Sequence, residues 1–161
     1  MKHWCLFIFV VFLVPVFVFG ADEKSKEPQT QTQTQTNVMV TNEIVQQGTS
    51  SGIKDAIAKV ITDKKEWEEL WKRHVSVLVP QPPPPPVAFD SEALVVIFVG
   101  EKRTSGYKVI VKSVTAEGND VVVSYKLTEP PQNGFTLQVL TQPFVILKVQ
   151  KPQGTVKLVR E

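Results

Sequence analysis

Cysteine and histidine are almost absent from these 161 residues: one Cys and two His. Cys5 sits near the N-terminus within an apolar run, and His3 precedes it, so past the first twenty residues there is no thiol and a single imidazole, His74. A cysteine nucleophile, a disulfide framework and a zinc site built from Cys and His are therefore excluded for the folded part. A chain without staples must rely on its hydrophobic core, which calls for a compact unit well above about 70 residues. Charge of one sign is also lacking. The formal net charge is +2, and Lys2 lies in the N-terminal segment, so the remainder is close to neutral and nucleic acid is not an expected partner. No phosphate-binding loop is present: Gly100–Gly106 leads into a strand pattern, without Lys-Ser/Thr at a helix start.

The N-terminus opens with Lys2, an apolar run from Trp4 to Phe19, and Gly20-Ala21-Asp22. A positive start, a hydrophobic stretch shorter than a spanning helix and interrupted by Pro15, and small residues before a polar segment read as a signal peptide over 1–20, with cleavage between Gly20 and Ala21. Membrane contact is expected only through this segment. The expected location is extracytoplasmic: periplasmic, cell-envelope or secreted. Asp22–Asn37 reads DEKSKEPQTQTQTQTN, which has no aliphatic or aromatic residue to bury, and 21–37 reads as a disordered Gln/Thr-rich spacer. A single α+β domain is expected over 38–161.

Within that domain, Val38–Val45 reads as a strand, and Ile53–Ile61 as a strand or a helix leaning toward strand at its end. Asp63 with Glu66 three residues on resembles a capping box, and Trp67, Leu70, Trp71 and Val75 fall on one face of the helix that follows. His74, on its last turn, reads as a surface or boundary residue where charge favours a helix C-terminus. Pro80 and Pro82–Pro86 form a stiff, exposed polyproline connection, a pattern that also serves as a ligand for proline-binding domains; in an exported protein it is expected to carry the chain from helix to sheet.

Leu94–Val99, continuously apolar, reads as a central strand. Tyr107–Val114 and Val121–Leu127 alternate around a hairpin turn at Glu117–Asp120. Phe144–Val149 and Thr155–Val159 close the chain. The expected fold class is α+β, an antiparallel meander of about five to seven strands with one main helix packed on it.

From the helix onward the chain resembles the PrcB-like family, small bacterial exported domains named for a subunit of a surface protease complex. The residues that carry the resemblance are Trp67-Glu68-Glu69-Leu70-Trp71, Phe89 with Leu94-Val95-Val96 and Gly100, Ser105-Gly106-Tyr107-Lys108-Val109, and Thr141-Gln142-Pro143-Phe144. Ala88 stands where the family pattern has Asp, and Ser105 where it has Gly. The resemblance implies a protease partner, secreted or envelope-bound, which the domain stabilises or controls. No catalytic residue, cofactor or metal ligand is assigned. The candidate interaction residues are Arg103, Ser105, Gly106, Tyr107, Pro143 and Phe144, at loops on one end of the sheet. Two other readings stand beside this one. One is a structural envelope protein that uses a sheet edge, Val38–Val45, for association. The other is a hydrolase with a concave site around His74 or paired carboxylates.

Overall fold

A computed structural model describes residues 38–161. The expected leader and spacer, 1–37, lie outside the described residues. The elements are β1 (Val38–Met39), β2 (Asn42–Gly48), β3 (Ala56–Ile61), α1 (Lys64–His74), β4 (Glu92–Val99), β5 (Lys108–Glu117), β6 (Asp120–Thr128), β7 (Phe144–Gln150) and β8 (Val156–Arg160). A short 3₁₀ turn, Val75–Val77, follows α1.

The α+β class fits, but the strands form two four-stranded sheets rather than one meander, ordered β2-β7-β4-β3 and β1-β5-β6-β8. The physical reason is visible in β4 and β7. Ala93 through Phe98 are all buried, as are Phe144 through Leu147, and strands apolar on both faces need cover on both sides. Leu94, Val96, Phe98, Phe144 and Ile146 face Trp67, Leu70, Trp71 and Val75 of the helix and its following turn. Ala93, Val95, Ile97, Val145, Leu147 and Val149 face Val109, Val114, Val121 and Val123 of the second sheet. The first sheet is thus the middle of three layers.

Two consequences follow for connectivity. After β6 the chain crosses to β7 in the other sheet and returns, so β8 pairs parallel with β6, Val121 opposite Val156; among the described residues only β5–β6 is a tight hairpin. The expected strand Val38–Val45 also divides. It breaks at Val40-Thr41, where the chain changes sheets: β1 pairs with β5, and β2 with β7. The one expected edge thus becomes two shorter ones, β1 at the edge of one sheet and β2 at the edge of the other.

Local chemistry explains the elements. Asp63 caps the helix, its carboxylate accepting from the Glu66 N–H at 2.9 Å. The Glu66 side chain does not complete a capping box; it pairs with Lys59 at 2.7 Å and ties the helix to β3. In β5 the alternation holds from Lys108 to Val111. A bulge between Val111 and Ser113 then shifts the phase, so that Val114 is buried. Asp120 fixes the start of β8: it accepts from the Thr155 N–H and hydroxyl and pairs with Lys157 at 2.6 Å. Those contacts hold its carboxyl down at about 2, the lysine bond contributing most.

Candidate functional site

His74 stands out chemically, because it departs from the surface position expected of it. It is 2% exposed and packs edge-on against Phe144 and Trp71. Its Nδ1 lies 2.8 Å from Ser51 Oγ and its Nε2 3.0 Å from Gln46 Oε1. The Ile53 N–H donates to Ser51 Oγ, so the hydroxyl proton is left to donate to Nδ1, and the Nε2–H donates to the glutamine carbonyl. Every polar atom of a neutral imidazole is satisfied, and burial depresses the His74 pKa from 6.5 to about 4. Ser51 is itself 1% exposed. A serine–histidine pair enclosed in this way braces the core and presents no face to a substrate. The form of the hydrolase reading that places a concave site around His74 is not met, because the imidazole is enclosed.

The other predicted residues separate into two groups. Pro143 and Phe144 are buried, which corrects their expected place on an interaction surface. Phe144 is 2% exposed and stacks on Phe98 at 5.6 Å between ring centroids; it fills the helix-side core because β7 is a central strand. Arg103, Ser105, Gly106 and Tyr107 lie together in the turn between β4 and β5, with Arg103 exposed and Tyr107 half-buried. Lys102 Nζ sits 5.2 Å from the centre of the Tyr107 ring, a cation–π contact.

This turn is braced against the long β6–β7 loop. Ser105 donates its N–H to the Leu137 carbonyl at 2.9 Å, and its hydroxyl accepts from the Leu137 N–H at 3.0 Å. Lys102 and Thr141 exchange backbone hydrogen bonds, and the Thr141 hydroxyl donates to the Thr104 carbonyl. Gly106 has φ +98°, and a Cβ there would lie 2.7 Å from Pro130 Cβ. Glycine is therefore required on two counts, backbone conformation and close approach. Glu101 adds a polar rim, accepting from Gln142 Nε2 at 3.1 Å and lying 3.6 Å from Lys54.

The same loop carries apolar side chains in water. Phe135 is 94% exposed, Leu137 59%, Val139 46% and Leu140 59%. Sequence reasoning missed all four, since apolar residues before a strand give no sign of whether they enter the core. Beside the turn, where the sheets diverge between β3 and β8, a cleft of about 410 Å³ opens over Ala56, Ala58, Tyr125 and Leu127, with Lys102, Glu129 and Arg160 along it. Among the described residues, no cluster of three His, Cys, Asp or Glu side chains is arranged to hold a metal ion.

Residues 93–150 match the family described as PrcB C-terminal. This stretch is PrcB-like. It runs from β4 to β7 and contains both braced loops, while the helix motif Trp67–Trp71 lies outside it. The chain is also similar to an uncharacterized protein of Methanocaldococcus jannaschii, 33% identical over 60 residues, which cover 37% of this chain and 36% of that relative. The chain thus spans little more than a third of that relative's length. No solved structure matches.

Proposed function

We propose that this is an exported, non-enzymatic binding domain that associates with a secreted or envelope protease and stabilises or regulates it. The protease class comes from the PrcB-like segment, whose family points to a subunit of a protease complex. The contact surface comes from one observation: Phe135, Leu137, Val139 and Leu140 are held out in water at one end of the sandwich. Exposed apolar residues gathered in one place and rimmed by polar groups are the mark of a protein-binding surface. Tyr107 and Arg103 belong to the residue types that carry binding energy at such surfaces. Export rests on the leader read from the sequence, and the non-catalytic role on the sealed Ser51–His74 pair together with the family.

Affinity capture of the tagged full-length protein from its own cells tests this reading. The wild type is expected to enrich a protease, and Phe135→Ser/Leu137→Ser/Leu140→Ser to lose it while melting at nearly the same temperature. Capture of the wild type with no protease enriched contradicts the proposal. A second reading has its own observation: β3 is bonded to β4 alone, leaving an edge at which Ala56 and Ala58 are exposed. That edge suits strand addition by a structural partner.

A further inference from the structure

The connection from helix to sheet carries more order than a connection requires. Gln81 through Pro85 each precede a proline, which bars them from the α region. Pro82 to Pro86 each fix φ at roughly −65°. The run is therefore polyproline II, a left-handed helix with about three residues per turn.

Trp71 Nε1 donates to the Pro82 carbonyl at 2.9 Å, and Trp67 Nε1 to the Pro85 carbonyl at 3.2 Å. The two acceptors are three residues apart, one polyproline turn, and the two donors are one turn apart on α1. A single face of the strap is fastened to the helix, which sets its rotation about its own axis. The indole bonds use two carbonyls and ask nothing of the rings at Pro83, Pro84 and Pro86, all of which are exposed, whereas Pro85 is half-buried.

We propose that Pro83–Pro86 is a preformed docking ridge for the aromatic-lined groove of a partner protein. Three features select that partner. The ridge presents pyrrolidine rings at the threefold spacing such grooves accept. Its backbone lacks N–H groups and offers only carbonyl acceptors, which suit the indole and phenol donors of an aromatic groove. Its ordering entropy is already met by the proline rings and the two tryptophan bonds, so little is lost on docking. The ridge lies outside the PrcB-like segment and stands independently of the loop-end reading.

Titration of the full-length protein with purified SH3, WW and EVH1 domains, followed by calorimetry, tests the proposal. At least one of these probe grooves is expected to bind the wild type, and Pro83→Ala/Pro84→Ala/Pro86→Ala to weaken that binding about tenfold or more, as loss of central anchors does. Pro84→Ala alone leaves both indole acceptors in place and is expected to weaken binding in the same direction with an unchanged melting temperature. If no probe domain binds, or if the ridge variants bind as the wild type does, the strap is only a brace for the helix and the proposal is overturned.

Discussion

The two faces of the middle sheet are built from different chemistry. The face toward the second sheet is aliphatic, with Val95, Ile97, Val145, Leu147 and Val149 against Val109, Val114, Val121 and Val123. The face toward the helix holds two tryptophans, two phenylalanines and a buried histidine whose partners, Ser51 and Gln46, come from outside the helix. The aliphatic face gains its stability from area removed from water, and that term is insensitive to pH. The aromatic face adds directional bonds: His74 reaches to Ser51 and Gln46, and the indoles to the proline strap. One sheet therefore separates a core that supplies bulk burial from a core that fixes where the helix, the strap and the chain at Ser51 sit.

The largest expected effect that breaks this comparison is Trp67→Ala, which opens a cavity and also releases the Pro85 carbonyl. Chemical denaturation is expected to show a loss of about 3–5 kcal/mol, the cost of removing a large buried aromatic side chain. Leu147→Ala, on the aliphatic face, is expected to cost about 2–5 kcal/mol by cavity formation alone, and by nearly the same amount at pH 7 and pH 4.

Acid should separate the two faces. The His74 pKa is lower in the fold than in the unfolded chain, so between pH 6.5 and about 4 the unfolded chain takes up a proton that the fold refuses. The contribution of neutral His74 is fully present above pH 6.5 and is lost as pH falls through that window, roughly 3 kcal/mol in all. Glu92 and Asp120, whose pKa values are also lowered by their hydrogen bonds, lose their stabilising charge at lower pH. The His74 share is therefore read as the difference between wild type and His74→Gln, with urea midpoints measured from pH 7 to pH 4. A flatter profile in the variant is expected; equal slopes would place the acid sensitivity elsewhere. The smallest effect on stability is expected at the loop end. Gly106→Ala, strained at φ +98° and pressed on Pro130, should cost about 1–2 kcal/mol.

The middle sheet was legible in sequence, because an unbroken apolar run such as Leu94–Val99 announces burial on both sides. The helix was legible too, since Asp63 and the spacing of Trp67, Leu70, Trp71 and Val75 are local signals. What escaped depends on residues far apart in the chain. His74 reads as a boundary residue until Ser51, 23 positions away, and Gln46, 28 away, are brought to its ring. The parallel return of β8 to β6 likewise has no local signature, because it follows from the chain crossing between sheets through β7. At the loop end, Ser105-Gly106-Tyr107 is marked in sequence by its turn and its family resemblance. The exposure of Phe135, Leu137 and Leu140 carries no local signal; the backbone of Leu137 is fixed by Ser105, over thirty residues upstream. Pro143 and Phe144 erred in the opposite direction: a motif at a strand entry looked like surface and is core.

Hydrogen–deuterium exchange of the full-length protein, alone and bound to the protease that the proposed function expects to be captured with it, tests the central claim most directly. Binding through the loop end predicts added protection confined to residues 102–107 and 135–141, with β3 unchanged. Protection at Ala56–Ile61 instead, or none in either loop, would contradict it.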